Sequence, residues 1–215
     1  MLRLLHFPRA TAPEARSASV GVDPLAELAA LATRGDRSAQ RTLLVTVGPA
    51  LLRVVRGVLG SGHPDVEDVL QEAMTAVHAA LPAFRGECRV LHFACRVTVQ
   101  TALAARRRAG YRQRITPATA PEELADAPSG ELSPGEAHRA AECRRALRHL
   151  LDELPEPQAE ALALHIVLGH SVAETAAAQR VPLNTARSRL RTALASLRER
   201  VAADPALLSL LEPEA

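Results

Sequence analysis

Three groups of side chains have the types and spacing to do chemistry. The first is Asn184, Thr185, Arg187, Ser188 and Arg191. At helical spacing they present an amide, two hydroxyls and two guanidinium forks on one side. Arginine forks fit guanine O6 and N7, and an asparagine amide fits adenine N6 and N7. The bland alternative is a solvated arginine face. The second group is Glu67, Asp68 and Glu72, with Asp65 and Gln71 beside them. Three readings stand: a catalytic or metal-binding carboxylate cluster, an acidic dock for a basic partner helix, or compensation of a helix dipole. No HExxH spacing or nucleophile motif accompanies the acids, which argues against catalysis. The third group is Phe84, Arg85, Arg89, His92, Arg96 and Gln100. Its arginines could track the phosphates of a single strand while a ring or guanidinium plane stacks on a base. The alternative is a solvated helix with Phe84 packed into the core. Cys88, Cys95, His92, His165 and His170 have no zinc-ligand spacing, so buried cysteines and surface histidines are the simpler expectation.

The elements that must position these groups are helices. Asp23 and Pro24 open a helix over 25–32, as a cap and a first helical residue. Leu43, Leu44, Val47, Leu51, Leu52, Val55 and Leu59 recur at helical spacing and predict a second helix over 38–59. A third runs from Pro64 to Pro82, with Val66, Val69, Leu70, Ala73, Val77, Ala80 and Leu81 as its apolar stripe. A fourth is expected over 88–108, with Val90, Leu91, Ala94, Val97 and Leu103 facing a core, closed by Arg106, Arg107 and Arg108. Residues 112–136 hold four prolines and several acids, a linker composition. Four more helices follow, over 137–153, 156–168, 172–179 and 183–202. Ser171 and Glu174 form a capping box, and Pro182 starts the last helix. Its buried stripe is expected at Leu183, Ala186, Leu190, Leu194 and Leu197, which turns Asn184, Arg187, Ser188 and Arg191 outward. A capped helix, a tight turn and an arginine-lined helix make a helix-turn-helix pattern.

Composition agrees with an all-α fold. The 215 residues are 47% hydrophobic but only 2% aromatic, whereas sheets draw on aromatic and β-branched residues. All 26 basic residues are arginine, and the net charge is only +2. Its distribution is uneven: residues 1–110 carry 14 arginines against 9 acids, and residues 111–137 carry 2 against 5. Three cysteines without paired spacing fit a reducing cytoplasm rather than a disulfide framework. No uncharged apolar run approaches the roughly 20 residues of a membrane span. Residues 1–22 and 204–215 read as tails.

Two segments in this order resemble the sigma-70 family of RNA polymerase initiation factors, specifically its extracytoplasmic-function (ECF) group. The first is Asp65-Val66-Glu67-Asp68-Val69-Leu70-Gln71-Glu72-Ala73. The second is Gly169-His170-Ser171-Val172-Ala173-Glu174-Thr175-Ala176, running into Val181-Pro182-Leu183-Asn184-Thr185-Ala186-Arg187-Ser188-Arg189-Leu190-Arg191. The resemblance covers about residues 24–202. It implies two small helical domains, 23–111 (region 2) and 137–203 (region 4), joined by the acidic linker 112–136. It further implies that Asp65, Glu67, Asp68, Gln71 and Glu72 dock on core polymerase, at its β and β′ subunits. The promoter −10 element would meet Phe84, Arg85, Arg89, His92, Arg96, Gln100, Arg106 and Arg107. The −35 element would meet Ser171, Asn184, Thr185, Arg187, Ser188 and Arg191. An anti-sigma factor is an expected partner, and no cofactor, metal or catalytic site is implied. One departure is plain: the family's melting helix carries tryptophan and an Ile-Ala-x-Asn pattern, whereas this chain reads Val90-Leu91-His92-Phe93-Ala94-Cys95-Arg96-Val97-Thr98.

Two other classes compete with that expectation. A stand-alone helix-turn-helix regulator would bind duplex DNA tightly without polymerase. A metal-dependent phosphohydrolase would use Glu67, Asp68, Glu72 and nearby histidines, and would hydrolyse a phosphate ester alone.

Overall fold

Helix α2, Arg37–Leu59, is the spine of the first half of the molecule. Asp36 caps it, its Oδ1 accepting from the Ala39 N–H at 2.9 Å. Leu43, Val47, Leu51, Val54, Val55 and Val58 are each at most 1% exposed along it. The computed structural model describes residues 23–115 and 134–203. The expected tails and residues 116–133 of the expected linker lie outside the described residues. α1 (Ala26–Thr33), α3 (Val66–Ala80) and α4 (Val90–Ile115) pack around α2. A 3₁₀ turn, Leu81–Ala83, follows α3 at Pro82. By length and composition α2 could cross a membrane, but 56% of its most apolar window is buried inside this helical core.

The second half holds α5 (Pro134–Glu153), α6 (Glu156–Ile166), α7 (Val172–Gln179) and α8 (Leu183–Ala203). Among the described residues there is no strand. Helix α6 is buried at every residue from Ala159 to Leu164. A helix apolar on nearly all sides must be covered on all sides. Here α8 and α5 cover it from its own half and α4 from the other. One apolar cluster therefore runs through both halves, taking in Leu51 and Val55 from α2, Val99 and Leu103 from α4, and Leu147, Leu151 and Leu162 from α5 and α6.

Several boundaries and faces differ from the sequence expectation. α4 continues past Arg108 to Ile115 and α5 starts at Pro134, so helix occupies both ends of the expected linker. Arginine propagates a helix nearly as well as alanine, so Arg106, Arg107 and Arg108 did not close it. Pro134 is tolerated because a first helical residue needs no N–H partner. On α8 the buried stripe is Ala186, Leu190, Ala193, Leu197 and Val201, while Leu183 is 44% exposed. Ala186, Leu190 and Leu197 lie on it as expected, and Leu194 is half-buried against the same core beside Ala193.

Asp23 does more than start α1. Its Oδ1 accepts from the Leu25 N–H at 3.0 Å and its Oδ2 from the Val90 N–H at 2.8 Å. One carboxylate thus satisfies N–H groups at the starts of both α1 and α4. Asp23→Ala should lower unfolding stability by about 1–2 kcal/mol, the usual cost of losing a helix cap. Urea denaturation measures this, and a loss within error of zero would contradict the double-cap role.

Candidate nucleic-acid interface

The arginine-lined helix is positioned from behind. Ser171 caps α7: its hydroxyl accepts from the Glu174 N–H at 3.2 Å, and the Glu174 carboxylate accepts from the Ser171 N–H at 2.9 Å. The capping box is therefore complete. Arg180 ends α7 in the left-handed region, at φ 53°, and the Val181 N–H bonds back to the Ala176 carbonyl at 3.1 Å. That turn aims α8. Buried Gln179 then ties three helices together: its amide donates to the Pro157 carbonyl at 3.1 Å, and its Oε1 accepts from Arg189 at 3.1 Å. On the far side Asn184, Arg187, Ser188 and Arg191 are exposed and Thr185 is half-buried. Arg187 donates to the Asn184 Oδ1 at 3.1 Å, so two candidate base readers hold each other in place. Exposed Leu183 stands beside them. Helical spacing alone puts it on the core stripe, but it is the first residue of α8, ahead of the point where packing begins.

The acids of α3 sit on a surface edge. Glu67, Asp68, Gln71 and Glu72 are exposed and Asp65 is half-buried. They do not converge on one another. Glu72 pairs with Arg108 at 2.7 Å and Asp65 with Arg112 at 3.6 Å, both on α4.

The third group is divided. Arg85 and Arg89 are exposed in the loop before α4. Phe84 is half-buried and packs on Phe93, ring centroids 5.0 Å apart. The residues farther along α4 pair with the second half of the chain, Arg96, Gln100 and Arg106 partly buried and Arg107 still exposed. Arg96 Nε donates to Glu160 Oε1 at 2.7 Å, and Gln100 Nε2 donates to Glu160 Oε2 at 3.2 Å. Arg106 grips Asp152 with two bonds, Nε to Oδ1 at 2.8 Å and Nη2 to Oδ2 at 2.5 Å. Its Nη1 donates to the Val58 carbonyl at 3.1 Å. Arg107 pairs with Glu156 at 3.0 Å. Only the run Arg96, Gln100, Arg106 and Arg107 along one helix, beside Asp152, Glu156 and Glu160 at four-residue steps, could have signalled this from sequence.

His92 continues the contact. Its ring lies 4.3 Å from that of His170, centroid to centroid, and its Nε2 is 3.9 Å from Glu174 Oε1. Neither is the surface histidine expected from sequence; His170 is 7% exposed. Burial lowers the pKa of His170 to about 4, with the neighbouring His92 and His165 adding to the effect against Glu174. Burial also lowers that of His92, which Glu174 opposes and Arg89 reinforces. Burial would raise the Glu174 carboxyl, but its bonds with Ser171 outweigh this and hold it low. Cys88, Cys95 and Cys143 are all pushed up by burial, Cys95 to about 12, so none is a ready thiolate at neutral pH.

A capped helix-turn-helix with an outward polar face, behind a helical bundle edged with carboxylates, defines a two-part, all-α DNA-binding protein. Comparison with known proteins makes this specific. Residues 43–112 match the family model "Sigma-70 region 2" and residues 144–197 match "Sigma-70, region 4". The chain is 33% identical over 176 residues to the ECF RNA polymerase sigma factor SigD of Mycobacterium tuberculosis, covering 80% of this chain and 81% of that one. It is 32% identical over 171 residues to ShbA of Streptomyces griseus, covering 74% and 90%. It is 30% identical over 161 residues to the sigma-E factor of Escherichia coli, covering 73% and 83%. Among solved structures it is similar to the sigma factor RpoE of Bartonella quintana, determined with the anti-sigma factor NepR, at TM-score 0.51 and 22% identity over 76% of this chain and 97% of that one. It also resembles CnrH, determined with the cytosolic domain of CnrY, at TM-score 0.50 and 24% identity over 83% and 97%. The chain belongs to the ECF sigma factors of the sigma-70 family. It is an alternative sigma factor that acts with core RNA polymerase on promoter DNA to direct transcription initiation. The stand-alone regulator and the phosphohydrolase give way to that assignment.

The histidine contact has a defined pH sign. Both folded-state values lie below the ordinary 6.5, so the folded chain binds fewer protons than the unfolded one as pH falls. The stability is intact above pH 6.5 and is lost as pH falls from there toward about 4. From His170 alone, about 2 kcal/mol should vanish between pH 7.5 and pH 5. Urea unfolding at the two pH values measures it, and His170→Leu should flatten the difference. An equally steep loss in that variant would contradict the assignment.

Proposed function

We propose that α8 reads the −35 element as duplex, that α4 with its preceding loop engages the −10 element, and that α3 docks on core polymerase. The observation that carries this reading is the exposed row on α8, held rigid by Gln179 and the capping box. Arg187, Arg191 and Asn184 supply base-edge hydrogen bonds in the major groove. Thr185 and Ser188 add hydroxyls there. Leu183 adds an apolar contact suited to a thymine methyl. Ser171, at the start of α7, is placed for a phosphate contact of the kind that fixes register without reading sequence.

The −10 contacts fall to Phe84, Arg85, Arg89, His92, Arg96, Gln100, Arg106 and Arg107. Their guanidinium groups track phosphates, and the loop at 84–89 receives an unstacked base. Asp65, Glu67, Asp68, Gln71 and Glu72 give α3 an acidic edge complementary to basic helices of the β and β′ subunits. The domains divide at 23–111 and 137–203, and residues 112–136 span the distance between the two promoter elements. The chain works in the cytoplasm, makes no covalent chemistry of its own, and leaves phosphodiester formation to the polymerase. An anti-sigma factor restrains it, as the similar factor RpoE is bound by the anti-sigma factor NepR and CnrH by the cytosolic domain of CnrY.

Run-off transcription with core polymerase separates the roles. Arg187→Ala and Arg191→Ala should each weaken promoter recognition about 5- to 150-fold, the equivalent of about 1–3 kcal/mol per base contact. Core affinity should survive in both. Asp68→Arg with Glu72→Arg should abolish core binding while the chain keeps its helical circular dichroism. Equal loss of core binding in the arginine variants, or retained core affinity in the charge reversal, would overturn the assignment of faces.

A further inference from the structure

Arg189 stands apart from its neighbours on α8. Arg187 and Arg191 are exposed, whereas Arg189 is half-buried. Each residue turns a helix by about 100°, so Arg189 lies about 160° from both of them, on the back of the turn whose front they occupy. Its Nη1 donates to Gln179 Oε1 at 3.1 Å. Gln179 is 5% exposed, and its Nε2 donates in turn to the Pro157 carbonyl at 3.1 Å. Pro157 is in the first turn of α6, and α6 is buried at every residue from Ala159 to Leu164. The arginine on the back of α8 is therefore tied, through one buried amide, to the most enclosed helix of the second half.

Stability alone does not call for this pair. An apolar pair of the same shape would fill the same space, and replacing both partners of a hydrogen bond in that way is close to neutral. What the polar pair adds is direction. A hydrogen bond holds its heavy atoms within about 2.7–3.2 Å and close to linear, whereas an apolar contact tolerates rotation. The stripe beneath α8 offers rotation little resistance. Ala186 and Ala193 are two of its buried residues, and a methyl group gives little shape to lock into. The outer face is sensitive to such a rotation. Side-chain ends stand roughly 5–6 Å from a helix axis, so a twist of about 20° moves them about 2 Å. Hydrogen bonds to base edges do not survive that displacement.

We infer that Gln179 and Arg189 are positioning residues for promoter reading: Arg189 contacts no base, and through Gln179 it locks the rotation of α8 against α6, which decides the bases that Asn184, Arg187 and Arg191 reach. The inference rests on the assignment of α8 to the −35 duplex. It places Arg189, one arginine in an arginine-lined helix, in the frame of the reading head instead of on its surface. Specificity is then set partly by a residue pair that the DNA never meets.

The test uses the full chain with core polymerase on a template library in which the −35 region of a transcribed promoter is randomised. Sequencing the run-off transcripts gives the base preference at each position. Gln179→Met keeps the length and burial of the side chain and removes both of its bonds. It should lower the strongest −35 preference about tenfold, within the roughly 5- to 150-fold that one base contact carries. Arg189→Met should do the same, and the double variant should be no flatter than either alone, because the two residues act as one unit. A mere loss of stability would lower transcription evenly across the library and leave the preferences in place. Circular dichroism identifies a variant that has not folded, and Gln179→Leu then replaces Gln179→Met. Wild-type preferences in a folded Gln179 variant, where Arg187→Ala loses its own, overturn the lock and leave the reading face standing. Flattening by Arg189→Met alone means that Arg189 touches the bases, and overturns the lock as well. Unchanged preferences in both Arg187→Ala and Arg191→Ala move the reading off α8 and take the inference with it.

Discussion

The Glu160 carboxylate is the constraint on which the arrangement of the two halves depends. It lies on α6, whose other buried residues are alanine, leucine and isoleucine, and it is taken almost wholly out of water. A lone carboxylate there would cost several kcal/mol. Arg96 and Gln100 remove that cost, and they come from the opposite half of the chain. Their two bonds fix the rotation of α6 about α4. Asp152 and Glu156 then fall opposite Arg106 and Arg107, while His170 falls against His92.

Helix α4 carries two loads as a result. One face, with Val99, Ala102 and Leu103, is core to the first half. The other is polar and receives the second half. Arg106 joins the two loads, since it bonds the Val58 carbonyl of α2 and the Asp152 carboxylate of α5 at once. Helix α8 is built on the opposite plan. Its outward polar face stays in solvent, and its position is set by Gln179 and the α7 cap beneath it.

Much of this was legible in the sequence. The capping box at Ser171 and Glu174, the bounds of α7 and the outward face of α8 follow from local rules of helix capping and periodicity. The family follows from two motifs in order. Leu183 was misplaced because periodicity locates a stripe but not the turn at which packing begins. The ends of α4 and α5 were misplaced because arginine and proline each fit two roles near a helix end. The pairing of Arg96 with Glu160 was hidden because the partners are 64 residues apart and each looks like an ordinary surface charge. Asp23 shows the same limit: its bond to Leu25 is local and readable, whereas its bond to Val90 is set by the tertiary fold.

In the free chain the two halves are held together through Glu160, bonded by Arg96 and Gln100. Single-molecule energy transfer between dyes at position 45 on α2 and position 198 on α8 follows that contact in the wild type and in Glu160→Ala, since both sites are exposed and lie in opposite halves. One narrow transfer value in the wild type, lowered and broadened in folded Glu160→Ala, is the expected result. The same narrow value in folded Glu160→Ala, or a broad distribution already in the wild type, would show that Glu160 does not hold the halves together.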